Sequence, residues 1–348
     1  MIKRIIDQKQ IARLKQLLEH ATKAVITCHI SPDGDALGSS LALCRVLMNM
    51  GIDAKGITPD SVSANLQFLP GAKDIVDGNR YSDYARTLFC DADVVFCLDF
   101  NAPSRIDRLA TALNASKSPK VLIDHHLDPA DFTDVTISHP EMSSTCMLLF
   151  RVLCRLELFD LIDKTAAELI LAGMMTDTGN FSYNASDPEI YIIVSELLKK
   201  GANKDILYKR LFNTFSESSL RINGYALAEK MELFADEHAA LITLSREELN
   251  RFHYSKGDTE ALVNRPLAIP GVVYSCFLRE EDGYVKVSMR SVGDFPVDKL
   301  CNEYFGGGGH RNAAGGEYRG SLEQCAELFR SLLKRNRELY IDKSCTEI

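Results

Sequence analysis

The sequence predicts an α/β protein: a doubly wound, mainly parallel sheet, followed through a helical linker by a smaller α/β domain. Three observations carry this expectation. Short β-rich runs alternate with segments of helical periodicity through the first part of the chain, the pattern of a parallel sheet covered by helices. Beyond about residue 235 the texture changes to three closely spaced strands and two helices. The length of 348 residues suits two domains with separate cores, at roughly 100 to 200 residues per domain, and excludes a single small module.

The elements follow in order. The opening MIKRIIDQKQIARLKQLLEH repeats apolar residues at helical spacing with charges between them, and lacks the apolar stretch and cleavage site of a signal peptide. KAVITC (23–28), DVVFCL (93–98) and KVLI (120–123) are continuous apolar runs and predict strands buried on both faces. Helical spacing covers 36–50, 103–113, 144–158 and 163–175. PEIYIIVSELLKKGA (188–202), opened by Pro188 and closed by Gly201, predicts the helix that ends the first domain. Two helical patterns, 203–212 and 216–233, follow without a strand and form the expected linker, 203–234. AALITLS (239–245), GVVYSCFLRE (271–280) and GYVKVSMR (283–290) predict strands of the second domain, 235–348, with helices near 296–304 and 321–335.

Composition narrows the function classes. Apolar residues make up 46% and charged residues 25%, which excludes a disordered or fibrous chain. Forty basic against 48 acidic residues leave a formal charge of −8, opposed to the wide basic footprint of a protein that coats long nucleic acid. A small anionic substrate remains compatible if metal ions supply positive charge. No apolar run approaches the roughly 20 residues of a membrane span. Ten cysteines, at 28, 44, 90, 97, 146, 154, 276, 301, 325 and 345, form no CxxC pair and read as reduced core residues of a cytoplasmic protein.

Three predicted strands run into potential metal ligands: KAVITC into His29, DVVFCL into Asp99, and KVLI into Asp124, His125 and His126. In open α/β sheets that edge is where ligands bind. HISPDGDALGSS (29–40) packs His29, Asp33 and Asp35 into a turn before a helix. Pro32 keeps Ser31 out of the helical region, and Gly34 is expected to bend the chain so that both carboxylates face one point. Asp177, in TDTGNF (176–181), is a fourth acidic site at a helix end. Singly, these residues would serve as caps and turn formers. Four element ends that all present oxygen or imidazole, and no thiolate, together predict a metal centre. Ser143, Ser144 and Thr145 open the helix at 144, where free amides favour an anion but plain capping accounts for the residues equally well. Arg105, six residues after Asp99, would reach a phosphate or make a surface ion pair. Glycines 306–309, with Phe305, His310, Gly315 and Gly316 around them, suggest an ordered loop whose amides form an anion nest.

HISPDGDALGSS, the aspartate of LDFNAPSRI (98–106), IDHH (123–126) and the aspartate of TDTGNF resemble, in order, the four motifs of the DHH phosphoesterase superfamily. FGGGGHRNAAGG (305–316) resembles the glycine-rich motif of its DHH-associated (DHHA1) domain. Within that superfamily the chain is most similar to the nanoRNase and pAp phosphatase type, also called exopolyphosphatase-related. The resemblance implies that residues 1–202 are the catalytic DHH domain and 235–348 the substrate-binding domain, with the substrate cleft between them. It assigns His29, Asp33 and Asp99 to one metal and Asp35, Asp99, His125 and Asp177 to the other, Asp99 bridging. Two divalent ions are implied, manganese being expected for such a donor set, with magnesium, cobalt or iron as alternatives. In the family a water between metals about 3.5 to 4 Å apart attacks phosphorus. Asp124 is implied as the partner that orients an imidazole, and His126 as a phosphate contact or proton donor. Arg290, His310 and the amides of Gly307, Gly308 and Gly309, with Arg105, would hold the rest of the substrate.

The expected activity is cleavage of short oligoribonucleotides to nucleoside 5′-monophosphates, and of pAp to AMP, with a homodimer the assembly considered for the chain. A phosphodiesterase of linear or cyclic dinucleotides is the alternative within enzymes, and a nucleotide-binding regulatory protein the alternative outside them. A RecJ-type exonuclease is disfavoured by length, and a pyrophosphatase by GGGGH, where that family carries lysine and arginine.

Overall fold

The computed structural model describes residues 3–341, so Cys345 and the last residues of the expected second domain lie outside the described part. The chain divides into two compact units, Met1–Thr214 and Phe215–Ile348.

The first unit begins with α1 (Gln8–His20), β1 (Lys23–Thr27), α2 (Gly34–Asn49), β2 (Asp53–Thr58) and β3 (Val76–Asp77). It continues with α3 (Ser82–Asp91), β4 (Val94–Leu98), α4 (Leu109–Ala115), β5 (Lys120–Asp124) and β6 (Val135–Ser138). Four helices complete it: α5 (Thr145–Arg155), α6 (Lys164–Asp177), α7 (Pro188–Lys199) and α8 (Lys204–Phe212). All strand pairs are parallel, in the order β3-β2-β1-β4-β5-β6. The period of two along each strand separates the two faces. Ile26, Phe96 and Ile123 pack with α2, α5 and α6 in one cluster, whereas Val25, Val95, Cys97 and Leu122 pack with α3 and α4 in another. This is the doubly wound arrangement expected from the apolar runs. Strand addition reverses between β1 and β4, and the switch opens a crevice beyond their carboxyl ends.

The helix expected over 103–113 is broken. Pro103–Ile106 is a 3-10 turn, Asp107 takes a left-handed φ of 46°, and regular helix begins only at Leu109. Helix α5 is sunk into the core, with Thr145 to Leu153 all buried. Its Arg151 reaches Glu189 of α7 at 2.6 Å and the Lys3 carbonyl at 3.3 Å.

The stretch read as a linker is divided between the units, α8 falling in the first and α9 (Glu217–Tyr225) in the second. The helical pattern of 216–233 also stops early: after α9 and a π-turn the chain enters β7 (Met231–Phe234). The rest of the second unit is β8 (Ala239–Leu244), α10 (Arg246–Arg251), β9 (Tyr274–Glu281), β10 (Tyr284–Ser291), α11 (Val297–Tyr304), β11 (Gly308–His310), β12 (Ala313–Tyr318) and α12 (Leu322–Asn336). Its sheet runs β11-β12-β10-β9-β8-β7, with only β8 and β9 parallel. Tyr274 stacks on Phe295 at 4.1 Å in its core and accepts a hydrogen bond from Asn336. Among the described cysteines, Cys28, Cys44, Cys97, Cys146, Cys276, Cys301 and Cys325 are buried thiols. Cys90 departs from the core reading, because it is exposed on α3, and Cys154 is partly buried.

Candidate metal centre

The crevice at the switch point collects the residues that end the strands. His29 lies two residues past β1, Asp99 directly past β4, and Asp124, His125 and His126 at the end of β5. Asp99 takes a left-handed φ of 62°, which aspartate tolerates better than most residues, and is 2% exposed. Its Oδ2 is 3.4 Å from His29 Nε2, while its Oδ1 is 3.5 Å from His125 Nε2 and 3.8 Å from His126 Nδ1. His125 Nε2 is also 3.3 Å from Asp177 Oδ2, and His29 Nε2 is 3.9 Å from Asp33 Oδ2. Three groups thus offer ligand atoms within 4.8 Å of one another: His29, Asp33 and Asp99; Asp35, His125 and Asp177; and Asp99, His125 and His126.

Ring tautomers decide what these groups can hold. A backbone carbonyl only accepts, so His29 Nδ1, 2.7 Å from the Ile30 carbonyl, and His125 Nδ1, 3.1 Å from that of Met142, are both donors. In the neutral rings each Nε2 then turns a lone pair toward carboxylate oxygens, which also carry only lone pairs. Such an arrangement calls for a cation or a proton between the atoms. His126 differs, because its Nδ1 donates to Asp124 Oδ1 at 2.7 Å. Asp124 is fully buried and its Oδ2 accepts no hydrogen bond.

The protein's own charges show the same demand. Burial and the Asp99 charge push the Asp35 carboxyl well above its ordinary range, and burial with Asp35 and Asp99 does so for Asp177. Burial acts to lower His29, yet the hydrogen bond and charge of Asp99 prevail and push it up to about 9. For Asp99 itself burial is outweighed by His29, His125 and His126, which hold its carboxyl below the usual range. Raised carboxyls and a raised imidazole in one cluster mean that it favours added positive charge, which divalent cations would supply. Oxygen and imidazole donors without thiolate suit such ions.

Helix packing brings the acidic residues together. Asp33 is the N-cap of α2, its Oδ1 accepting from the Asp35 and Ala36 amides, which leaves Oδ2 toward His29. Ser31 is indeed outside the right-handed helical region, at φ 50°. Gly34 does not bend the chain; it is the first residue of α2, and a Cβ there would lie 2.4 Å from Thr176. A Cβ on Gly38 would meet the Leu169 carbonyl at 2.7 Å, and one on Gly173 would meet Cys146 Sγ at 2.3 Å and Asp35 Oδ1 at 2.8 Å. Small residues therefore let α2 and α6 approach closely enough to set Asp35 beside Asp177.

Two sequence expectations change. The N-terminus of α5 does receive an anion, but it is the Asp35 carboxylate: the Thr145 and Cys146 amides donate to Oδ2 and Oδ1 at 2.6 and 2.9 Å. Ser144 is the N-cap and accepts from the Met147 amide. The second change is at the glycine run, where Gly308 and Gly309 lie in an edge strand rather than a nest, β11 pairing to β12, and Gly307 directly precedes it. Close backbone approach explains most of the glycine: a Cβ would come within 1.9 Å of the Gly315 carbonyl at Gly307, 2.6 Å of that of Ala313 at Gly309, and 2.2 Å of that of Phe305 at Gly316. Only at Gly308 would a Cβ meet open space.

Arg290 and His310 both stand opposite Ala313, from β10 and β11 on either side of β12. Directly opposed residues share a face of an antiparallel sheet, so the two side chains project from the same face of the second unit. Arg105 sits in the 3-10 turn after β4, where its carbonyl accepts from the Ile30 amide at 2.8 Å and its buried Nε has no hydrogen-bond partner. Sequence reasoning missed Thr145 as a partner of Asp99, whose Oδ1 its hydroxyl reaches at 2.8 Å. The only signal for it was the Ser-Ser-Thr opening of a helix. Among the described residues, no helix is long and apolar enough to cross a membrane.

Comparison with known proteins agrees with this architecture. Residues 23–174 match the DHH family, N-terminal domain, and residues 240–338 match the DHHA1 domain. The bifunctional oligoribonuclease and PAP phosphatase NrnA of Thermus thermophilus is 31% identical over 322 residues, covering 90% of this chain and 91% of that protein. The probable bifunctional oligoribonuclease and PAP phosphatase NrnA of Streptococcus mutans is 30% identical over 84% of this chain and 88% of its own length. The crystal structure of an exopolyphosphatase-related protein from Bacteroides fragilis superposes with a TM-score of 0.95 at 47% identity, covering 97% of this chain and 99% of the other. With histidines and aspartates gathered at the switch point of a doubly wound sheet, and a DHHA1 domain after it, the chain belongs to the DHH family.

Proposed function

We propose that this protein is a two-metal phosphoesterase that hydrolyses short oligoribonucleotides to nucleoside 5′-monophosphates and removes the 3′-phosphate of pAp. The observation that carries this reading is the placing of two imidazole nitrogens, His29 Nε2 and His125 Nε2, at 3.4 and 3.5 Å from the two oxygens of one buried carboxylate, Asp99. His29, Asp33 and Asp99 would hold one ion and Asp35, Asp99, His125 and Asp177 the other, with manganese the ion we expect. Divalent ions bound there lower the pKa of water and offset the charge of phosphate oxygens. The names of the two NrnA relatives support the choice of short RNA and pAp.

The chain's own residues divide the remaining work. Asp124, dry and fixed, orients His126 through Nδ1, so chemistry at His126 goes through Nε2, as a contact to phosphate or a proton donor to the leaving oxygen. Arg105 offers a guanidinium at the rim of the first unit. On the second unit Arg290 and His310, sharing one sheet face, would grip the substrate's other phosphate or base, with the open space over Gly308 admitting it. The net charge of −8 agrees with a preference for short substrates, since a long phosphate backbone would find few neutralising contacts.

The test is product analysis on chelator-stripped protein, with and without manganese or magnesium, against pAp, pApA, cyclic di-AMP, pyrophosphate and RNA of three to seven and of twenty nucleotides. We expect cation-dependent release of AMP from pAp and of mononucleotides from the short RNAs. Faster turnover of cyclic di-AMP or pApA would move the assignment to a dinucleotide phosphodiesterase, and no cation-dependent hydrolysis of any of them would refute it.

A further inference from the structure

The first amides of α5 find acceptors inside the protein. Thr145 and Cys146 donate theirs to Asp35, Met147 donates to the Ser144 hydroxyl, and Leu148 to the Ser144 carbonyl. The same Thr145 also donates its hydroxyl to Asp99 Oδ1 at 2.8 Å, in a contact buried on both sides. One residue therefore grips two carboxylates that arrive on different elements, Asp35 in the first turn of α2 and Asp99 directly after β4. Asp99 is left with three histidine nitrogens and this one neutral donor around it, and only the hydroxyl lies at ordinary hydrogen-bond length.

We infer that Thr145 is a positioning residue for the metal centre: its hydroxyl fixes the plane of the Asp99 carboxylate while its amide, with the positive end of α5, fixes that of Asp35. This rests on the reading of those aspartates as ligands. The physical reason is order of assembly. A carboxylate shared by two ions would need each oxygen turned toward one of them, and a free carboxylate rotates about its last bond. A donor at 2.8 Å from Oδ1 takes up one of that oxygen's lone pairs and would leave the other for an ion, so the carboxylate plane is set without cations. Asp35, held through both oxygens by backbone amides that cannot titrate, is set the same way.

The test separates hydroxyl, methyl and fold. Thr145→Val keeps the shape and the amide but removes the donor, and Thr145→Ser keeps the donor but removes the methyl. Manganese titration of chelator-stripped protein by calorimetry should show cation affinity weakened about tenfold or more in Thr145→Val, and within about threefold of wild type in Thr145→Ser. Thermal unfolding of the stripped proteins reports packing separately. Wild-type affinity in Thr145→Val would overturn the inference, and so would equal losses in both variants, which would mean that the methyl and not the hydroxyl matters. If the wild type itself took up no cation, the metal-centre reading would fall and this inference with it. If it bound cations yet hydrolysed no phosphoester, only the substrate reading would fall, and the titration would still decide the role of Thr145.

Discussion

Replacement of Gly173 by alanine tests how the carboxylates are brought together. The new Cβ would stand 2.3 Å from Cys146 Sγ, 2.8 Å from Asp35 Oδ1 and 3.0 Å from Asp35 Cα. Optimal carbon contacts lie at about 3.5–4.0 Å, so α6 must retreat by roughly 1 Å or distort α2 and α5. Overpacking of this kind costs about 1–3 kcal/mol, and alanine's better helix propensity returns about 1 kcal/mol. The net loss, about 0–2 kcal/mol, corresponds to a fall in melting temperature of at most about 8 °C for a unit of this size. The larger effect falls on the site, because the displaced atom is a proposed ligand: manganese affinity should drop by at least tenfold. Adding Cys146→Ala removes the sulfur clash but not the Asp35 contact, so the double variant should regain only part of the stability of Cys146→Ala alone and still bind manganese weakly. Differential scanning calorimetry and manganese titration read the two effects. A Gly173→Ala protein that binds manganese as tightly as wild type would refute the idea that close α2–α6 packing sets Asp35.

Asp99→Ala should lose both ions and His29→Ala only one, as read by elemental analysis; full occupancy in Asp99→Ala would dismiss the bridging role. His126→Ala should lower turnover by about a hundredfold with metal content unchanged, whereas loss of one metal equivalent would exchange the roles of His125 and His126. Arg290→Ala and His310→Ala should raise the Michaelis constant for pAp without changing metal content, and unchanged kinetics on every short substrate would return the glycine hairpin to a purely structural role. Away from the site, burial acts to raise Glu189, but hydrogen bonds from Arg151 and the Lys3 amide prevail and hold its carboxyl below the ordinary value. A depressed folded pKa stabilises the protein above the unfolded value of about 4.3 and stops doing so as pH falls through the folded value. Glu189→Gln should therefore be less stable than wild type at pH 7, by about 1–3 kcal/mol, with the gap closing below about pH 4; a gap constant from pH 7 to pH 3 would contradict the ion pair.

How legible each part was in the sequence depended on how local its cause is. β1, β4 and β5 are buried on both faces along most of their length, so each carries an apolar run that declares itself. β2 contains Asp53, Lys55 and Gly56, β3 is two residues long and β6 is four, and none carries enough pattern to be seen without the neighbours that pair with it. The same holds more strongly for β11 and β12. Their glycines look like a loop because the reason for them, carbonyls of Phe305, Ala313 and Gly315 lying where side chains would be, exists only after folding. The helix expected at 103–113 failed for a local reason, the left-handed Asp107, which no periodicity announces.

The metal centre divides along the same line. Strand ends placed His29, Asp99, Asp124, His125 and His126 at one edge, because a parallel sheet carries every carboxyl end to the same side. What holds these groups at working distance was hidden. Thr145 and Asp99 are 46 residues apart, and the Cys146 amide is 111 from the Asp35 it serves. A helix start predicts that its amides will find an acceptor, yet only the topology determines that the acceptor is a buried aspartate rather than a substrate phosphate. Glycine behaves likewise: Gly34, Gly38 and Gly173 look like breakers or flexible joints, whereas each marks a place where α2 and α6 come too close for a side chain. Carboxylates so near one another repel, and the fold offsets part of that repulsion with a helix terminus and imidazoles. The determinants of the site are therefore as much the residues that permit approach as the residues that present ligands. Adding acidic groups to such a crevice would raise its repulsion without improving its geometry, but enlarging one of the three glycines removes the geometry while leaving every proposed ligand in place.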